Sequence, residues 1–196
     1  QSVDAWFASF YANAIGKNII EKNPSIRPVI EAWKRYQPSA LQSNLQKNED
    51  LKNIVLNETP WVGQAETESA SKNQLADFLD ENKMNNDLQI AFQKISQMQS
   101  SNGGFNWFEG MPDSRYITLE IVKGLSRLLH QQMIDIEDYD GLDKLLSSAV
   151  DYLDQRVLED YKNELEHLVR DKNYQGQLSY TMAKYLYARS LLVNAF

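Results

Sequence analysis

The chain has 196 residues, enough for one domain with a sizeable core, and its 42% hydrophobic and 11% aromatic content excludes a disordered polymer. Twenty basic against 27 acidic side chains give a formal charge of −7 without any lysine or arginine cluster, which excludes nucleic acid as a partner. The absence of cysteine removes disulfides, thiolate metal sites and cysteine nucleophiles together, while leaving the compartment open.

Apolar residues recur at three- and four-residue steps along most of the sequence, so the predicted class is all-α. A first helix is expected from Ser2 to about Lys22 on the stripe Val3, Trp6, Phe7, Phe10, Tyr11, Ala14, Ile15 and Ile19, and it ends at Asn23 and Pro24. A second runs from about Ser25 to Tyr36, with Ile26, Val29, Ile30 and Trp33 inward and Pro38 as its stop. Leucines at 41, 45, 51 and 56 allow shorter helical pieces, and Thr59, Pro60 and Trp61 break the pattern. The polar, small stretch from Gly63 to Ser71 reads as a loop or an exposed helix start. Leu75, Phe78 and Leu79 resume the period, and Met84, Leu88, Ala91, Phe92, Ile95 and Met98 continue it. After an interruption, Tyr116, Ile117, Ile121, Leu125, Leu128 and Leu129 mark a buried helix, followed by helical stretches at Leu142 to Leu153, Val157 to Val169 and Leu178 to Phe196.

Two of these helices echo each other. "YITLEIVKGLSRLL" (116–129) and "SYTMAKYLYARSLL" (179–192) superpose at an offset of 63 residues, and "FYANAIGKNII" in the first helix is a fainter copy. A repeat of this length holds two helices and a corner. The interruption itself, "QSSNGGFNWFEGMPDSRYIT" (99–118), is that corner. Gly103 and Gly104 permit a positive φ or a close backbone approach, and Phe105, Trp107 and Phe108 are expected to fold over helix ends as an apolar plug. Pro112 then opens a helix, with Asp113 or Ser114 as its N-cap and Thr118 turned inward.

The pattern Q-M-Q-x-x-x-G-G-F-x-W-F-x-G-x-x-x-x-R-Y-I-T with "GLSRL" after it resembles the repeat of the thioester domain of bacterial alpha-2-macroglobulin-like proteins. "FYANAIGKNI", "ALQSNLQKNEDLKNIVLNETPWV" (40–62) and "LQIAFQKISQMQ" (88–99) extend the resemblance over most of residues 1–130, and it fades after about Ile134. It implies an α/α toroid of paired inner and outer helices, with residues 1–196 as a single helical domain and part of a larger protease trap. It also implies a periplasmic or extracellular location, membrane anchoring through a segment outside this chain, and two kinds of partner: other domains of the same protein, and host or environmental proteases. In that family a C-x-E-Q motif makes the thioester. The matching positions are about Ser2 for the cysteine, Asp4 for the glutamate and Ala5 for the glutamine, so both reacting residues are missing and covalent capture is not expected. The start within a helix is read as the mark of a fragment.

The remaining candidates have simpler readings beside the functional ones. Glu109, Asp113 and Glu120 surround the corner and are the residues from which a general acid and base would come if the chain were a toroid lyase or hydrolase acting on polysaccharide, the alternative function. Helix capping for Asp113, solvation for Glu109 and pairing with Arg115 or Lys123 for Glu120 account for them without catalysis. "DIEDYDG" (135–141) lacks the spaced ligands of a calcium loop and reads as a solvated connector. His130 and His167 share no metal-binding spacing, so no metal or other cofactor is expected. Asn57 heads a formal glycosylation sequon that the bacterial origin implied by the resemblance would leave without consequence. Trp6, Trp33, Trp61 and Trp107 are assigned to packing before sugar stacking. Tyr174, Tyr180, Tyr185 and Tyr187 are expected to form a half-exposed edge. No apolar run reaches the length of a membrane span and the first residues show no signal pattern, so no membrane insertion is expected in this region. The overall expectation is a non-catalytic helical domain of a protease trap that acts without a thioester.

Overall fold

The computed structural model describes residues 1–35, 71, 74–171, 173–176 and 178–193, and the described residues are mostly helical with no β-strand. The helical pieces expected within 40–56, the break at Thr59 to Trp61, the Asn57 sequon and the 63–70 stretch lie outside the described residues. Two compact units are present, one formed by residues 1–15 with 87–196 and the other by residues 16–86.

The first helices keep the expected bounds, with α1 spanning Val3–Lys22 and α2 spanning Ile26–Arg35, but Ile19 and Val29, expected inward, are 43% and 46% exposed. The periodic stretch from Leu75 to Met98 is not one helix. Residues 74–78 are helical, the chain turns at 79–80, and α3 starts afresh as Glu81–Gln97. Asp80 is the reason, because its side chain accepts the Lys83 N–H at 3.0 Å and so caps a new helix start. Next, α4 spans Arg115–His130, a single 3-10 turn covers Ile136–Asp138, α5 spans Leu142–Arg170 and α6 spans Tyr180–Leu191. The two helical stretches read between Leu142 and Val169 are thus one continuous helix of 29 residues. The intervening "DQR" contains no glycine or proline to stop it.

In the first unit, side-chain contacts fix how the helices run. Lys184 of α6 pairs with Glu120 of α4 and sits over the rings of Tyr116 and Tyr180, so the first turns of α4 and α6 lie side by side. Leu129 and Leu191 line one cleft at the other ends, which makes the two helices parallel. Arg115 reaches Asp160 at 2.6 Å and Tyr185 donates to Asp154 at 2.6 Å, so α5 runs antiparallel to both. The Val3 N–H donates to the Trp107 carbonyl at 3.0 Å, and the Phe10 ring meets Tyr139, beyond the far end of α4, at 5.1 Å. Helix α1 is therefore a third parallel member. Phe92 of α3 packs on Phe10 while Met98, just past α3, bonds to Asn106 in the corner, so α3 is antiparallel to α1.

One core serves this unit, with Phe10, Leu88, Phe105, Leu119, Ile121, Leu128, Leu142, Leu146 and Leu153 inaccessible to solvent or nearly so. Burial of side chains of this size stabilises by about 1.5–3 kcal/mol each before chain entropy is subtracted. The α1 and α4 backbones approach closely because Gly124 has no side chain: a Cβ there would lie 2.4 Å from the Phe7 ring. In the second unit Ile20, Ile30, Ala76 and Met84 are buried together, with Ile26, Trp33 and Leu79 packed against them. Arg27 bonds Glu81 and Lys34 bonds Asp80, tying α2 to the start of α3.

Candidate functional site

The corner between α3 and α4 is built from its backbone outward. Gly103 donates its N–H to the Ser100 carbonyl at 2.9 Å and Ser100 donates to Gly104 at 2.8 Å, which closes a tight turn. Gly103 has φ +90°, and a Cβ on it would lie 2.0 Å from the Ser148 carbonyl oxygen of α5. Only glycine satisfies both conditions. A Cβ on Gly104 would press on Asp113 and the Tyr152 ring at 2.8 and 2.9 Å. Gln99 fastens the same turn to α5 by donating to the Gly103 carbonyl at 3.0 Å and the Leu145 carbonyl at 2.8 Å.

Phe105 is fully buried, and its polar backbone is satisfied by the start of α4: its N–H donates to Thr118 Oγ1 at 2.8 Å, and its carbonyl accepts from Ser114 at 2.8 Å. The Thr118 hydroxyl, itself buried, donates to the Ser114 carbonyl at 2.8 Å. Trp107 is partly buried and stacks on Tyr116 at 6.2 Å. Phe108 departs from the expected plug, being 50% exposed. The chain turns outward after Trp107 through a Met111 N–H to Phe108 carbonyl bond and through Gly110 at φ +79°, which faces open space. Tyr116, expected inward, is 59% exposed because it lies on the α4 face that carries Glu120. Ser114 occupies the N-cap position of α4 without a side-chain cap bond, and Asp113 is engaged elsewhere.

The positions matching the thioester motif lie beside this corner. Ser2 and Ala5 are partly exposed and Asp4 is exposed, and Val3 between them is the residue bonded to Trp107. With no thiol in the chain, what stands there is the hydroxyl of Ser2 and the methyl of Ala5.

The three carboxylates weighed as an acid–base set have separate partners. Asp113 accepts hydrogen bonds from Tyr152 and from Asn102, the latter at 3.2 Å, and these hold its carboxyl below the usual aspartate range. Burial, and then the same bond to Asp113, pushes the Tyr152 hydroxyl up. Arg156 lies over the Tyr152 ring at 5.2 Å. Burial alone raises the Glu120 carboxyl, but Lys123 and Lys184 outweigh it and keep the group ionised below its ordinary value. Glu109 is exposed. A general acid for glycoside cleavage needs a raised pKa, and the shifts at Asp113 and Glu120 run the other way.

A cleft of about 790 Å³ opens at the far ends of α4 and α6, with His130, Asp135, Glu137 and Asp138 on its wall. Asp135 and Asp138 form a reciprocal capping box around the 3-10 turn, so these acids have a local structural use. The connector expected to be wholly solvated also hides an anchor: Tyr139 is buried between Phe10 and Phe92, each ring at 5.1 Å. An aromatic isolated in an acidic run was the signal. His167 packs near Tyr174 rather than near His130. Among the described residues no group of histidines and carboxylates is arranged to hold a metal, and no helix is long and apolar enough to cross a membrane. Trp6 and Trp33 pack against the two cores, whereas Trp61 lies outside the described residues. Of the four tyrosines read as an edge, Tyr180 and Tyr187 are exposed, and Tyr174 and Tyr185 are partly covered by bonds to Glu164 and Asp154.

Comparison with known proteins adds no relative: no protein-family model, no curated protein and no solved structure matches the chain.

Proposed function

We propose that the chain is a non-catalytic helical domain of a bacterial alpha-2-macroglobulin-like protease trap, part of an α/α toroid, working without a thioester. The supporting observation is the alternation of parallel α1, α4 and α6 with antiparallel α3 and α5, joined through the glycine corner whose motif carries the resemblance. In this reading the domain sits in the periplasm or outside the cell and supplies packing surface to neighbouring domains of a larger protein. Protease is held there by enclosure rather than by a covalent bond, because the positions of Ser2 and Ala5 offer no acyl-forming pair.

The full-length protein, incubated with a protease, should migrate with it in gel filtration and release it in denaturant, and methylamine should add no mass to the chain. A covalent adduct, methylamine uptake anywhere from Ser2 to Phe7, or turnover of a polysaccharide would each overturn the reading.

A further inference from the structure

Asn102 and Gly103 form the only Asn-Gly pair in the sequence, and they occupy the tightest point of the corner. In such a pair the following residue has no side chain to shield its backbone nitrogen, so that nitrogen is able to attack the asparagine amide. We propose that Asn102–Gly103 is a self-modification site held back by the folded corner, and that opening the corner lets it convert and so prevents the corner from closing again.

The restraint is visible in four contacts. The Gly103 nitrogen, the attacking atom, is committed as a donor to the Ser100 carbonyl at 2.9 Å. Asn102 Oδ1 accepts from the Gly104 N–H at 3.0 Å, and Asn102 Nδ2 donates to Asp113 Oδ1 at 3.2 Å, so both ends of the amide are fixed. The Gly103 backbone lies against the Ser148 carbonyl with no room for even a methyl group, which prevents the peptide from turning toward Asn102 Cγ. Asn102 is otherwise exposed, so water has access once the turn is loosened.

The chemistry needs only water. The Gly103 nitrogen loses its proton and bonds to Asn102 Cγ, the Cγ–Nδ2 bond breaks, and Nδ2 leaves as ammonia with that proton, giving a succinimide. Water then adds to one of the two ring carbonyls. Cleavage of the new bond yields aspartate at 102, and cleavage of the original peptide bond yields isoaspartate, with the main chain running through Cβ and Cγ. Aspartate replaces the Nδ2 donor facing Asp113 by a carboxylate, which sets two carboxylates against each other, and isoaspartate removes that donor while placing a new carboxylate on Cα. Isoaspartate also lengthens the backbone where Ser148 leaves no space. The converted corner therefore does not reseat on α5.

The test is to incubate the full chain at mildly alkaline pH with and without urea, and to map residue 102 by mass spectrometry against the other asparagines. An opening step that forfeits the net worth of even one hydrogen bond slows conversion about fivefold, so Asn102 should convert at least that much faster in urea. Asp113→Ala, kept under native conditions, should convert faster than the parent. Equal rates for Asn102 in folded and unfolded chain overturn the proposal, as does a helical Asp113→Ala that converts at the parent rate. If that variant does not fold, the folded-against-urea comparison decides alone. The converted chain, separated by its added negative charge, should unfold at a lower denaturant midpoint; an unchanged midpoint overturns the claim that conversion keeps the corner open.

Discussion

Gly103 and Gly110 both have positive φ, at +90° and +79°, yet only the first meets a neighbour. Gly110→Ala therefore isolates the left-handed backbone penalty, about 1–2 kcal/mol. Gly103→Ala adds a steric demand that the Ser148 backbone cannot relieve without moving α5, and its expected loss is about 4 kcal/mol or more, in the range kept for special backbone sites. Urea denaturation of the two variants checks the difference, and equal losses would mean that the corner yields easily. Asp113 provides a pH test at the same place. Its folded pKa is lowered by Tyr152 and Asn102, so its contribution is present at neutral pH and is lost as pH falls through the folded value, below the ordinary 3.8. Stability measured between about pH 5 and pH 2 should fall less steeply in Tyr152→Phe than in the parent. An unchanged slope would mean that the Tyr152 bond does not tune this carboxyl. None of this was legible beyond the double glycine: the sequence announces a tight turn, but Tyr152 lies 39 positions beyond Asp113 and nothing local pairs them.

Among elements, the α4–α6 pair is where the sequence echo and the structure meet. Equivalent turns of the two repeats lie side by side, and Glu120 is held by Lys123 within α4 and by Lys184 from α6. Glu120→Gln removes both ion pairs and leaves the packing of Leu125 and Ala188 intact. Partly exposed pairs of this kind contribute about 1 kcal/mol or less each, so the variant should lose a modest amount at low salt and very little at high salt. A salt-independent loss would assign the effect to packing. Helix existence was readable here because the apolar period of three and four survives along the whole of α1 and α4. Boundaries were less so. Asp80 restarts a helix in the midst of an unbroken apolar pattern, since one carboxylate accepting an N–H outweighs periodicity. At residues 153–157 the apolar pattern loosens, yet α5 runs on because nothing there breaks a helix. Tyr116 and Phe108 depart from the expected inward placement for one reason: an aromatic at a helix start or in a turn is placed by the direction of the chain, which periodicity does not encode.

For the molecule as a whole, the informative asymmetry lies within α5. The apolar residues of its first half, from Leu142 to Leu153, are buried in the core, whereas Leu158, Tyr161, Leu165, Leu168 and Val169 in its second half are exposed, with Leu178, Leu186 and Tyr187 exposed at and near α6. Class and core were legible in the sequence; this contrast was not, because both halves of α5 carry the same amphipathic spacing and only the neighbours differ. An apolar stripe left in water contributes nothing to folding, so changing it should be almost neutral for stability. Leu158→Lys with Val169→Lys, at positions 51% and 82% exposed, should shift unfolding by no more than about 0.5 kcal/mol each. If the domain packs against neighbours as proposed, the same pair of changes should weaken its association with them in the full-length protein while the domain stays folded. A large stability loss in the chain alone would show instead that something within the chain covers the stripe, and thermal unfolding beside a binding measurement separates the two results.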